Sequence, residues 1–303
     1  MRLRCQRGSC LVIAIWLSLA GGWNRYLAAQ PPPDFLEAMK QFSRQAESFV
    51  PEQVREIPVA ERAQLARIEI PWHEEQRFGR QVLDGYEKQL LSEQKTIERR
   101  GRDVEYLDQL VAIIRPRMKH AVRYKRIRVG VVPTDQPDAY SIPGGDLLFT
   151  RGLLATAGSE AALVGVIAHE LSHLDRGHQL LPLKQAKLTA QPTDWRQFLG
   201  TMAMMKPFHP EFEREADEDA FRWMVATGYD PRELAHLLES WDQQQNTRAP
   251  WIEVIPSFVR SHPDAGLRAA SLLLSYDRLG PGQDFYIGHE NWKRRLPRDN
   301  QRF

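Results

Sequence analysis

Residues 161–168 carry no polar side chain, and the run continues directly into His169-Glu170-Leu171-Ser172-His173. A helix that is apolar on every side has no face to offer water, so it must be buried and the rest of the fold must be layered round it. Ser159, with Glu160 beside it, supplies a start, because its hydroxyl can accept from the free amides of a first helical turn. On such a helix residues 169 and 173 stand one turn apart on one face, where two imidazoles can reach one zinc ion. Glu170 is poorly placed to share that ion with His169 but well placed to take a proton from an attacking water, the task of a general base in zinc hydrolysis. Two histidines and a glutamate inside an apolar helix would each be costly to bury without partners, and a metal removes that cost. The reading is one zinc ion per chain.

A catalytic zinc takes three protein ligands and keeps a fourth position open, so one ligand is missing from the pentapeptide. Both cysteines, Cys5 and Cys10, lie near the N-terminus, which leaves the body of the chain only His, Asp or Glu to offer. One known extension of the motif places Gly three and His six residues beyond the second histidine. Those positions are Arg176 and Gln179 here, with Gly177 and His178 out of register, so that arrangement is disfavoured. The stretch Glu211-Phe212-Glu213-Arg214-Glu215-Ala216-Asp217-Glu218-Asp219 offers a carboxylate instead. Phe212, Ala216, Ala220 and Trp223 mark its inward side, and Glu213 and Asp217, four apart, share one edge of it, while most of the other acids are expected to be solvated. Glu213 can bind zinc while Asp217, one turn on, accepts a hydrogen bond from a ligand imidazole and fixes its orientation.

The chain of 303 residues, 42% hydrophobic and 26% charged, is long enough to bury a large core. Four of its 41 basic residues, Arg2, Arg4, Arg7 and Arg25, lie in the first 29, which hold no acid. The remaining 37 face 39 acidic residues, and a nearly neutral body gives no electrostatic argument for nucleic acid as a partner. Arg2, Arg4 and Arg7 precede an apolar run over residues 11–20 that is too short to span a bilayer, so residues 1–29 read as an export signal cleaved after Ala29. An uncleaved anchor, which would hold the protein close to a membrane surface, is the alternative. Residues 30–71 form a proline-containing spacer with an amphipathic helix over residues 35–50. Scaffold helices are expected over residues 72–99 and 104–118, and strands over 127–132, 139–142 and 146–150. Residues 180–210 are a candidate lid, with ordinary packing as the equal alternative, and residues 281–303, with Lys293, Arg294, Arg295, Arg298 and Arg302, read as a solvated basic tail.

The order of these motifs resembles that of the zinc endopeptidases of the M48 type, which include the CAAX prenyl protease and bacterial periplasmic quality-control proteases. The resemblance rests first on Glu213-Arg214-Glu215-Ala216-Asp217 standing 40 residues beyond His173. Upstream, Glu75-Gln-Arg-Phe-Gly79-Arg80 is similar to the family's entry helix, and Ala139-Tyr140-Ser141-Ile142-Pro143-Gly144-Gly145 and Arg151-Gly152-Leu153-Leu154 to its strand and turn before the zinc helix. Downstream, Thr227-Gly228-Tyr229-Asp230-Pro231 and Ser261-His262-Pro263-Asp264 with Arg268 follow in order, so that the likeness covers about residues 72–275. It implies a zincin-like metallopeptidase domain, spanning residues 72–280 here, with Glu213 as the third ligand. It also implies that His262 and Arg268 lie near the active site, where they are expected to stabilise the oxyanion formed on a peptide carbonyl. The body has no membrane span, which fits the soluble branch rather than the prenyl protease.

The expectation is therefore an α+β, mainly helical domain in which a small sheet lies beside the buried zinc helix. It would be an exported, periplasmic or otherwise extracytoplasmic endopeptidase acting on misfolded or unassembled polypeptides. Substrate main chain would pair with the strand edge at Tyr140, Ser141, Ile142, Pro143, Gly144 and Gly145. The alternative is a non-catalytic, zinc-stabilised binding or chaperone-like module. A structural zinc site has four protein ligands and no use for Glu170, which favours the enzyme.

Overall fold

The computed structural model describes residues 57–189, 209–247, 262 and 265–298. Among these residues ten α-helices and three strands follow in chain order: α1 (Val59–Arg67), α2 (Trp72–Ser92), α3 (Arg102–Ile114), β1 (Arg128–Val132), β2 (Ala139–Ile142), β3 (Asp146–Thr150), α4 (Arg151–Thr156), α5 (Glu160–Arg176), α6 (Leu181–Thr189), α7 (Pro210–Ala226), α8 (Arg232–Thr247), α9 (Ala265–Asp277) and α10 (His289–Arg294). The mainly helical α+β class is as expected, with a single three-stranded sheet among the described residues.

The apolar run folds as its composition requires. In α5 every residue from Glu160 to Asp175 is buried. Ser159 caps it, its Oγ accepting from the amide of Ala162 at 3.1 Å. Gly177 ends it in the left-handed conformation, φ +68°, which glycine adopts without steric cost. Helices α3, α7 and α8 surround it and share its core through Leu107, Leu110, Met224, Leu234 and Leu238. Gly165 sets the closeness of that packing, since a Cβ there would stand 2.8 Å from Cβ of Leu234.

The sheet has the order β1-β3-β2, with β1 parallel and β2 antiparallel to the central strand. Successive side chains of β3 point to opposite sides, so Leu147 and Phe149 join the core around α5 while Leu148 joins a second core with Phe78, Val82 and Leu90 of α2. Strand β2 thus forms one border of the sheet beside α5. Its end is clamped by α2. Buried Glu75 accepts from the amide of Gly144 at 3.0 Å and from the Tyr124 hydroxyl at 2.7 Å, and a Cβ on Gly79 would stand 1.6 Å from the Pro143 carbonyl oxygen. The entry helix therefore holds the Pro143-Gly144-Gly145 turn by direct contact.

Two boundaries differ from the sequence expectation. Ile57, Leu65 and Ile70 are buried, so residues 57–71 pack as part of the folded body rather than acting as a spacer. The basic tail is docked rather than solvated over residues 285–298. The amide of Ala161 donates to the Ile287 carbonyl at 2.9 Å and that of Glu160 to Gly288 at 3.2 Å, which satisfies orphan donors of the first turn of α5. Trp292 and Arg295 both donate to the Leu154 carbonyl at 3.0 Å, while Lys293 and Arg294 stay exposed. A tail read by charge alone looks soluble; this one is fixed by its aromatics and by backbone pairing. The leader, the helix over residues 35–50, residues 190–208 of the candidate lid, and residues 299–303 lie outside the described residues. No helix among the described residues is long and apolar enough to cross a membrane.

Candidate active site

The C-terminal half of α5, the buried edge of α7 and residue 262 meet at one point. Nε2 of His169 lies 3.0 Å from Nε2 of His173 and 3.1 Å from Nδ1 of His262. The Glu213 oxygens lie 3.4 Å from each of the first two nitrogens and 3.0 Å from the third. These four ligand atoms fall within 4.8 Å of one another, all on buried side chains. Imidazole lone pairs this close repel unless a proton or a metal ion lies between them. A tetrahedral ion with bonds of about 2.0–2.1 Å would separate its ligand atoms by about 3.3–3.4 Å, so the donor set and its spacing fit a metal such as zinc.

Each histidine of the pair is oriented through its other nitrogen. Nδ1 of His169 donates to Oδ1 of Asp217 at 2.9 Å, and Asp217 in turn accepts from Nε and Nη2 of Arg268 at 2.7 and 2.8 Å. Nδ1 of His173 lies 2.8 Å from Nδ1 of His178, whose Nε2 is 3.2 Å from Oε2 of Glu215. With Nε2 of His173 turned to the ligand cluster, its Nδ1 carries the proton and His178 receives it, leaving the His178 Nε2–H to donate to Glu215. Burial holds His178 below its ordinary pKa, in the neutral form this chain of bonds requires. His178 also stacks on Phe212, with ring centroids 4.3 Å apart.

Charge in the cluster follows from the same contacts. Burial and the Arg268 guanidinium press the His169 imidazolium down, but Asp217 and Glu213 outweigh them and its pKa is pushed up to about 9. Burial keeps His173 well below the usual range despite Glu213. Burial alone would raise Glu213, yet His262, Arg268 and the two histidines hold it well below the carboxylate range. Asp217 is lowered likewise, Arg268 overcoming its burial.

The expected residues are thus brought together, with three corrections. Arg268 is not aimed at a substrate: besides Asp217 it contacts Glu213 at 2.9 Å and the His262 carbonyl at 3.3 Å, all buried, so its donors are engaged within the cluster. His262 does not stand apart as an oxyanion donor, because its Nδ1 is itself one of the four clustered ligand atoms. Asp219, in a stretch most of whose acids were expected to be solvated, is buried and accepts from Ser172 Oγ at 2.7 Å, Arg176 Nε at 2.5 Å and the Arg222 guanidinium. Of the strand residues, Ile142, Pro143, Gly144 and Gly145 are buried, Tyr140 packs on Tyr86 of α2, and only Ser141 reaches the cluster by its side chain, through Glu170. The role of His178 was missed because residues five apart, such as 173 and 178, do not share a face on a continuous helix. Gly177 was the available signal: a left-handed residue there turns the chain back toward His173.

The model of Peptidase family M48 matches residues 107–274. Among curated proteins, the beta-barrel assembly-enhancing protease of Escherichia coli (strain K12) is 24% identical over 185 residues, covering 52% of this chain and 37% of that protein. The protein of the same name from Yersinia pestis is 23% identical over 155 residues, covering 44% and 31%. The mitochondrial metalloendopeptidase OMA1 of Schizosaccharomyces pombe is 25% identical over 149 residues, covering 46% and 43%. The chain therefore spans less than half the length of each of these relatives.

Proposed function

The chain belongs to peptidase family M48, and from that premise we propose that it is a zinc endopeptidase whose ligands are His169, His173 and Glu213 and whose general base is Glu170. The observation that carries this reading is the buried group of three imidazoles and a carboxylate, from His169, His173, His262 and Glu213, with Glu170 at its margin. Bound there, zinc would supply Lewis acidity toward water and toward the peptide carbonyl. Asp217 and His178 hold the two imidazoles with Nε2 facing inward, and Arg268 holds Asp217 charged. Glu170 takes a proton from the attacking water as its oxygen adds to the carbonyl carbon, and delivers it to the leaving nitrogen as the C–N bond breaks. Strand β2 has no second partner strand among the described residues, and its outer side would offer main-chain groups to an extended substrate, a mode that tolerates many side chains. His262, whose Nδ1 stands 3.0 Å from Glu213 and 3.1 Å from His169, would sit where water and substrate need access to a bound ion.

Polypeptides are the substrate class that family membership supports. That these are misfolded or unassembled proteins outside the cytoplasm rests on two supports, the arginine-led apolar segment at residues 1–29 and the similarity to the beta-barrel assembly-enhancing proteases. Metal analysis with a casein assay tests the reading. The chain should hold about one zinc ion, lose casein hydrolysis to a chelator and regain it with zinc, and Glu213→Ala should hold none. In the same assay His262→Ala should keep its zinc and cleave faster than wild type. A fall in cleavage with zinc retained would return His262 to an oxyanion role.

A further inference from the structure

Glu170 presents two different oxygens. Oε2 accepts from the Ser141 hydroxyl at 2.6 Å. Oε1 is buried, accepts no hydrogen bond among the described residues, and lies 3.4 Å from Nε2 of His262 at the ligand cluster. Ser141 is joined on its other side to Gln179, whose Nε2 lies 2.5 Å from the hydroxyl oxygen and 3.3 Å from the Ser141 carbonyl oxygen. A carbonyl can only accept, so the Gln179 side chain must present its amide nitrogen here, and that nitrogen donates to the hydroxyl as well. A hydroxyl has one proton. With Gln179 donating into its oxygen, that proton goes to Glu170.

We propose that Ser141 is a positioning residue for Glu170: oriented by Gln179, its hydroxyl ties Oε2 and leaves Oε1 facing the cluster as the atom that takes the proton. The inference rests on the endopeptidase reading and adds to it. Ser141 lies on β2, the strand whose edge is offered to substrate, so one residue links the place where a peptide docks to the orientation of the base that acts on it. The chain of bonds also gives Gln179, which lies just past the left-handed turn at Gly177 and outside the zinc motif, a defined task.

Zinc-loaded wild type, Ser141→Ala, Ser141→Thr, Glu170→Gln, Gln179→Met and the Ser141→Ala/Glu170→Gln double variant, compared in kcat, KM, zinc content and thermal midpoint on one fluorogenic peptide, test this. Ser141→Ala should lower kcat about tenfold, equivalent to about 1.4 kcal/mol, with KM, zinc and midpoint unchanged. Ser141→Thr, which keeps a hydroxyl, should restore the rate. On the Glu170→Gln background the alanine should cost nothing further, because the group it positions no longer takes the proton. Gln179→Met should lower kcat in the same sense by less, about threefold, since the hydroxyl remains but is no longer oriented. A wild-type kcat in Ser141→Ala, or the same tenfold loss on both backgrounds, overturns the inference while the endopeptidase reading stands. Full cleavage by Glu170→Gln would instead remove the reading itself. Should Ser141→Ala not fold, an unchanged kcat in Gln179→Met overturns the inference by itself.

Discussion

Buried carboxylates of opposite character stand at the two ends of α5, Glu160 on the helix itself and Asp217 and Asp219 on the neighbouring α7. At the N-terminal end Glu160, fully buried, accepts from the hydroxyls of Tyr106 at 3.0 Å and Tyr229 at 2.8 Å and from the backbone amide of Arg298 at 3.0 Å. The Arg298 guanidinium turns away to the carbonyls of Thr227 and Gly228. At the C-terminal end Asp219 and Asp217, also buried, each accept from guanidinium groups. Burial therefore raises Glu160, whose side-chain partners are neutral, whereas Arg176 and Ser172 outweigh burial for Asp219 and lower it. Equal burial does not give equal electrostatics; the partner decides. The neutral end serves as a latch between the docked C-terminal segment and the core, and the charged end holds the ligands of the cluster.

This contrast can be broken by removing one partner at each end. Arg268→Ala leaves Asp217 and Glu213 with an uncompensated buried charge and should cost about 3–5 kcal/mol of stability, read from urea midpoints. Glu160→Gln keeps the shape and one acceptor among neutral partners, so its cost should be about 1 kcal/mol. Equal losses at the two ends would mean that the guanidinium does not set the difference.

Acid titration of stability sharpens the comparison with a smaller effect. Asp219 has its folded pKa lowered, so its contribution is present above the unfolded value of about 3.9 and is lost as pH falls through the folded value. Glu160 has its folded pKa raised, so its contribution is present below the unfolded value of about 4.3 and is lost as pH rises through the folded value. Asp219→Asn should flatten the loss of stability on the acid side, and Glu160→Gln should flatten the decline on the way up from about pH 4.3. Slopes of the same sign in the two variants would contradict the assignment.

How much of this could be read from the amino acids alone depends on how local each signal is. The zinc helix was legible because an apolar run, a serine cap and two histidines at a spacing of four are all local. Glu213 and Asp217 were legible as an edge of a second helix because the same periodicity marks its buried side. Arg268 was placed nearby, but its partners were not legible, since only the fold shows that Asp217, 51 residues before it, takes its donors. His178 and Gln179 lie beyond a left-handed glycine, where helical spacing no longer applies. Residues 285–298 were misjudged by their charge because Arg295 and Arg298 spend their guanidinium groups on carbonyls of the folded body rather than on water, and those partners lie far away in the sequence.

The central claim is that Glu170, seated beside the cluster without being one of its clustered ligands, performs proton transfer. Zinc content and peptide cleavage measured together on Glu170→Gln test it most directly. The amide keeps the shape of the carboxylate but cannot accept the proton, so the variant should hold about one zinc ion per chain and lose at least about a hundredfold in kcat. Cleavage at the wild-type rate with zinc in place would contradict the account.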